Sequence, residues 1–412
     1  MTALGDLGCD RVGDAVPKRL PRLDLDPFGD EFLADPFSHH STLRGAGPVF
    51  YLSRYGVYGM ARFAEVQAAL TDAKTYCSAR GVGLSDFARE TPWRAPSLLL
   101  ESDPPAHDRP RKIMNKIVSL STLRELRPAW ARVAAELVEG LVAKGEFDAV
   151  TELAEVFPLQ IFPEAIGIRE GGREHLPTYA AATFNSFGPR NAIFQATHDA
   201  ASSAIAWVTE SCKRVNLRPG GWGLAVHEAA DQEECTEEEA ERLVRSFLSA
   251  GVDTTVNGIG NMLLAFVNYP DAWDMLRSSP GMVKQAVEEA LRWDSTVQTF
   301  FRTTSCATEV SGAQIPQDAK VLLFLAAANR DPARWPDPER FDVARKPIGH
   351  VAFGSGVHQC LGQMVARLEM ELVLTELVKR VASIRSTRSP LRRLNNTLHS
   401  LSSLPVAMQR AP

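Results

Sequence analysis

The stretch that decides the fold reads Phe353-Gly-Ser-Gly-Val-His-Gln-Cys-Leu-Gly362, and a helical pattern follows at once, from Cys360 to Val381. A cysteine entering a helix N-terminus faces unpaired N–H groups and the positive end of the dipole, so its thiolate is stabilised. Glycines at 354, 356 and 362 let the backbone turn tightly and approach a flat ligand. Amides presented this way can hydrogen-bond the sulfur and tune a bound metal. One cysteine cannot build a zinc site, so a metal here must bring its other ligands with it. Haem does so, and cysteine thiolate is an axial ligand that promotes O–O cleavage. The alternative is a structural cysteine in a glycine-rich turn, which suits a lone cysteine better than the whole pattern.

Outside this stretch the chain reads as globular. Its 412 residues are 45% hydrophobic and 23% charged, which excludes disordered, collagen-like and coiled-coil classes. A formal charge of −5 argues against a general nucleic-acid binder. The 6 cysteines lie far apart with no C-x-x-C pair, so neither a disulfide framework nor a zinc site is expected. Asp6, Asp10, Asp14 and Asp24 sit where a signal peptide would need an apolar run. The longest apolar run, Val321 to Ala328, is far short of the roughly 20 residues that span a bilayer. A soluble, cytoplasmic protein is expected.

Helical periodicity dominates. Residues 1–24, rich in Pro, Gly and Asp, read as a loose leader, and 25–412 as one domain with no linker. Leu123 to Val142 has helical spacing, and Thr236 with Glu239 forms a capping box that opens a pattern running to Pro270. That span predicts one helix crossing the whole molecule. A further helix starts at Ser279-Pro280. Strand-like segments are few: 48–60, 309–315 and 320–325.

The Phe353–Gly362 segment resembles the haem-binding signature of the cytochrome P-450 superfamily, the haem-thiolate monooxygenases, and other landmarks follow in family order from about Asp24 onward. The resemblance implies a mainly α fold, a triangular helical prism with a small β region, carrying haem b on Cys360, with Phe353 and Gly354 in the haem-binding loop. Glu289-Ala-Leu-Arg292 matches the family's Glu-x-x-Arg. Its i, i+3 spacing puts both charges on one helical face, as in many surface salt bridges. The resemblance makes it a structural lock, joined by an arginine around Arg340.

Ala250-Gly-Val-Asp-Thr-Thr255 places polar groups inside an apolar helix, which a kink could explain. The resemblance instead implies an acid-alcohol pair, with Asp253 relaying protons and Thr254 orienting them toward dioxygen. Keeping both residues fits an oxygenase rather than a peroxide-driven enzyme or a non-catalytic haem-thiolate binder. Haem propionates need cationic partners. His107 and Arg111, at i, i+4, with Arg302 and His358 match the family's positions for them.

Four further segments resemble bacterial members that oxidise para-substituted benzoates, typically by O-demethylating 4-methoxybenzoate to 4-hydroxybenzoate. They are the stretch from Tyr76 to Arg111, Phe184-Asn-Ser-Phe187, Arg245-Ser246-Phe and Val297 to Arg302. By that resemblance Arg94, Ser97, Arg245 and Ser246 hold the carboxylate, while Leu100, Phe184, Phe187, Ala250, Val297 and Phe300 wall the ring. Pairing of the arginines with acids, and phenylalanines that are plain core, stay open; so does oxidation of another small apolar substrate. Members of this kind take two electrons from outside. A basic cluster at Arg109, Arg111, Lys112 and Lys116, with Arg345 and Lys346, suits an acidic 2Fe-2S ferredoxin served by an NADH-dependent reductase.

Overall fold

Thr236 opens a helix as its capping box predicts: the Thr236 hydroxyl accepts the Glu239 amide at 3.1 Å, and the Glu239 carboxylate accepts the Thr236 amide at 2.9 Å. The helix does not reach Pro270. It ends at Ala250, and a second helix spans Asp253–Asn268, so the single long element expected there is two. The break sits at Gly251, where a Cβ would come 2.2 Å from the Phe162 ring and 2.8 Å from the Phe247 carbonyl oxygen. Only glycine allows that approach. Thr254 Oγ1 donates to the Ala250 carbonyl at 2.8 Å, taking an acceptor that a continuous ladder would give to an amide.

The computed structural model describes residues 20–412. In it, every residue from Thr255 to Phe266 is buried, so this helix runs through the interior. Against it pack Val283–Trp293 and Gln363–Arg380, and the long Leu120–Lys144, whose N-cap Ser119 accepts the Thr122 amide, packs on Gln363–Arg380. Most of the expected leader lies outside the described residues. At its end Arg22–Leu23 pair in parallel with Tyr51–Leu52.

A mixed six-stranded sheet runs in the order Arg22–Leu23, Phe50–Leu52, Val57–Met60, Lys320–Phe324, Thr299–Thr304, Tyr76–Cys77. The strand-like segments of the sequence lie in it or in the small hairpin Thr308–Val310 with Ala313–Ile315. Thr299–Thr304 was not foreseen as a strand, nor were the C-terminal strands Val381–Ser386, Leu391–Arg393, Ser400–Ser403 and Pro405–Arg410. Cys77, Cys212, Cys235 and Cys360 are free thiols. Among the described residues no helix is long and apolar enough to cross a membrane.

Candidate functional site

Cys360 sits between a one-turn helix, Gly356–His358, and the helix Gln363–Arg380. Its amide donates to the Phe353 carbonyl at 2.9 Å, which closes the loop. Gly356 has φ +70, and a Cβ there would meet the Leu70 carbonyl oxygen at 2.8 Å, so this turn requires glycine. The Phe353 ring lies under the Arg367 guanidinium, 4.4 Å from the centroid, and Gly354 follows with φ +69. Desolvation pushes the Cys360 thiol up, against the Gly362 amide, the Arg111 and Arg367 charges and the Gln363 amide, which pull it down. A metal ion reverses that balance, because a coordinating thiol gives up its proton. Among the described residues no group of three or more His, Cys, Asp or Glu could hold a metal ion, so one at Cys360 must bring other ligands.

The cations expected around a haem converge without enough anions of their own. His107 is 2% exposed, and neither ring nitrogen has a hydrogen bond; Asp108 comes only to 3.5 Å of Nδ1. Burial and then the neighbouring His358 pull its pKa down. Arg302 is buried, donates to the Phe301 carbonyl at 2.8 Å, and is pushed down to about 10 by desolvation. Arg111, half-buried, is near enough to Cys360 to feel its charge. The unsatisfied His107 ring, with Arg302 and Arg111 beside it, fits the two carboxylates of a haem. His358 differs: its Nε2 lies 3.0 Å from Asp103 Oδ1 and its Nδ1 3.2 Å from the Leu99 carbonyl, so both nitrogens are engaged within the protein.

Asp253 is 2% exposed at the helix break, beside the partly buried Thr254. Its Oδ1 accepts from Arg393 at 3.0 Å and from Asn257 at 3.2 Å, while Oδ2 is buried with no partner. Burial raises its pKa despite Arg393. Arg393, from the C-terminal hairpin, gave no signal in the sequence.

Glu289 and Arg292, both fully buried, form a two-bonded ion pair at 2.7 and 2.8 Å. The third member is Arg345, whose Nε donates to Glu289 at 3.0 Å; Arg340, near which it was expected, contributes only its main-chain carbonyl. Arg345 therefore faces inward and leaves the basic surface to which the sequence assigned it. Arg109 is held by Glu239 at 2.5 and 3.0 Å, and Lys116 lies 3.6 Å from Glu234, while Lys112 is exposed.

The ring-walling residues do come together. Phe184 and Phe187 pack with Val82 and Leu398, and Leu100, Val297 and Phe300 lie against them. Phe184 meets Phe187 edge-on at 5.8 Å, and Phe187 meets Phe300 at 5.6 Å. Val82 and Leu398 were missed, being ordinary apolar residues far off in sequence. Ala250 is exposed at the helix break.

The four residues assigned to a carboxylate also gather, but with partners. Arg94 Nη1 lies 3.2 Å from Glu101, one of the acid pairings left open by the sequence, and its Nε is buried and unpaired. Ser97 Oγ accepts from the Leu99 and Leu100 amides at 3.2 and 3.1 Å. Arg245 donates to the Ala95 carbonyl at 2.7 Å, and Ser246 Oγ donates back to the Arg242 carbonyl at 3.1 Å. Arg242, one turn earlier and not singled out in the sequence, donates to the Pro96 carbonyl at 2.7 Å. Desolvation and then the Arg94 charge pull the Arg245 pKa down.

Comparison with known proteins places this geometry among relatives. The family model for cytochrome P450 matches residues 281–405. Cytochrome p450 CYP199A2 of Rhodopseudomonas palustris is 50% identical over 393 residues, 95% of each chain. A beta-dihydromenaquinone-9 omega-hydroxylase of Mycobacterium bovis is 32% identical over 96% of this chain and 81% of its own. A crystal structure of a mutant of P450 EryK in complex with erythromycin B superposes with a TM-score of 0.81 at 30% identity, covering 92% of this chain and 98% of that one.

Proposed function

This chain belongs to the cytochrome P450 family, and from that premise we propose that it is a ferredoxin-dependent monooxygenase of small para-substituted aromatic monocarboxylates. Members are oxygen-incorporating oxidoreductases that carry haem on a cysteine thiolate and draw electrons from redox partners. Haem supplies the activation of dioxygen. In this reading Cys360 holds the iron, and His107, Arg111 and Arg302 hold the propionates. His358 would join them only by giving up its contact with Asp103 or with the Leu99 carbonyl.

The observation that carries the substrate class is the pairing of two unlike surfaces. Phe184, Phe187 and Phe300, with Leu100 and Val297, form an apolar cluster, and Arg242 and Arg245 converge on the loop that carries Arg94. A carboxylate leaving water is costly unless charge-assisted hydrogen bonds replace its hydration. Arg94, Ser97, Arg245 and Ser246 would offer such donors at one end, and the apolar cluster would wall the ring. A benzoate held by that end presents only its para group to the oxidant. Oxidation of a para methoxy carbon leaves a hemiacetal, which collapses to 4-hydroxybenzoate and formaldehyde.

Asp253 and Thr254 supply and aim the protons that oxygen activation consumes. The Thr254 hydroxyl is held on the Ala250 carbonyl, and the unpaired Asp253 oxygen is the free acceptor beside it. For the electron donor, Arg109 and Lys116 are compensated by acids, so docking shifts toward the groove beside the cysteine loop. Leu120, Arg124, Lys346, Ile348 and Met364 line that groove, whose Glu288 and Glu371 are taken up by Arg367, Arg127 and Lys284, so it combines apolar contact with a net basic charge suited to an acidic ferredoxin.

Spectral titration of the ferric holoprotein tests the substrate reading. 4-Methoxybenzoate shifts the haem spectrum and binds at least about tenfold more tightly than 4-methoxybenzamide, the worth of a charged hydrogen bond. Equal affinity for acid and amide overturns it.

A further inference from the structure

The Arg94 guanidinium is already matched by a buried carboxylate. Glu101 is 4% exposed at its side chain, and one of its oxygens, Oε2, lies 3.2 Å from Arg94 Nη1 and accepts the Ser97 amide at 2.7 Å. Arg94 Nη1 donates to the Ala95 carbonyl at 3.2 Å, so Glu101 meets it as an ion pair, and Arg94 and Ser97 are both residues that would anchor a substrate carboxylate. Arg242 and Arg245 close the same loop through the Pro96 and Ala95 carbonyls. Arg94 and Arg242 both act on Arg245 as like charges. Three guanidinium groups therefore crowd one loop, and the buried carboxylate bonded to it is Glu101.

We infer that Glu101 is a specificity-determining residue, a resident carboxylate that holds Arg94 in place and offsets its charge, thereby setting how strongly the pocket attracts a substrate anion. Glu101 sits four residues after Ser97, and the Glu101 amide donates back to the Ser97 carbonyl at 3.2 Å, so the turn fixes its position. Its hold on Nη1 leaves Arg94 Nε as the free, buried donor for an incoming carboxylate. That anion must then approach the Glu101 charge across a single guanidinium. Like charges in a dry site repel strongly, so affinity is lower than three arginines alone would give. The arrangement admits a monocarboxylate and disfavours a dianion.

The inference rests on the carboxylate reading, and one experiment separates the two. Glu101→Gln keeps an oxygen for Arg94 and the Ser97 amide but removes the charge. Titrating the ferric protein, Glu101→Gln binds 4-methoxybenzoate at least about tenfold more tightly than wild type, while 4-methoxybenzamide changes by less than about twofold. Unchanged or weaker benzoate binding in a variant of wild-type thermal stability overturns the inference. If wild type itself does not prefer the acid to the amide, the carboxylate reading has failed instead. Should Glu101→Gln not fold, Arg94→Gln and Arg94→Gln/Glu101→Gln provide the test. The double variant binds the benzoate at least about fivefold more tightly than the single one, because the single leaves Glu101 unpaired. Equal affinities there overturn the inference.

Discussion

Replacing Arg393 by alanine isolates the charge that opposes the effect of burial on Asp253. The pair meets at 3.0 Å, where two unit charges attract by about 5–6 kcal/mol at an effective dielectric of 20. Arg393 is 34% exposed, so solvent screening removes much of that attraction, and a net coupling of about 1–3 kcal/mol remains. Asp253 has a folded pKa above its unfolded value, so the folded state binds the extra proton, and stability falls as pH rises between the two values. Losing Arg393 raises the folded value further and extends that window upward. The deficit of Arg393→Ala relative to wild type therefore grows with pH, by up to about 1.4 kcal/mol per unit, and is small in acid. The assay is urea unfolding of wild type, Arg393→Ala, Asp253→Asn and the double variant at about pH 5.5 and about pH 8. The double variant, having no buried carboxylate left to strand, loses less than the sum of the singles, and more so at the higher pH. Additive losses at both pH values refute the reasoning.

Three other perturbations follow from the same geometry. Arg345→Ala removes a charged hydrogen bond to buried Glu289 and costs about 2 kcal/mol or more in unfolding, while Arg340→Ala stays within about 0.5 kcal/mol; equal costs contradict the assignment. Glu369 is buried with both carboxyl oxygens unpaired, and burial raises its pKa well above the usual range. Its stabilising proton is lost as pH rises, so Glu369→Gln flattens the alkaline fall in stability by up to about 1.4 kcal/mol per pH unit, and unchanged slopes contradict this. Thr254→Ala diverts reducing equivalents to hydrogen peroxide with substrate affinity within about twofold, and unchanged coupling of NADH to product removes its role.

The parts of the fold and site that were legible in the sequence are those fixed locally. The cysteine loop, the capping box at Thr236 and the Glu289–Arg292 spacing carry their geometry in adjacent residues. What was not legible depends on contacts made across the molecule. The break in the central helix needs glycine at 251 because the Phe162 ring lies against it, and nothing near Gly251 in sequence announces Phe162. The arginine expected around Arg340 to join Glu289 is Arg345, whose identity within that segment only the tertiary contact shows. Thr299–Thr304 pairs with Lys320–Phe324 and is buried on both sides, so it lacks the alternation that marks a half-exposed strand. Glu101, Arg242 and Arg393 look like solvated surface charges until tertiary packing brings them to Arg94, Pro96 and Asp253.

The central claim is that Cys360 is the thiolate ligand of the haem, and the reduced, CO-bound absorption spectrum tests it most directly. Wild type gives the red-shifted Soret band of a thiolate-ligated haem, and Cys360→His, where an imidazole replaces the sulfur, loses it. A variant that keeps the wild-type band, or a wild type that never shows it, contradicts the account.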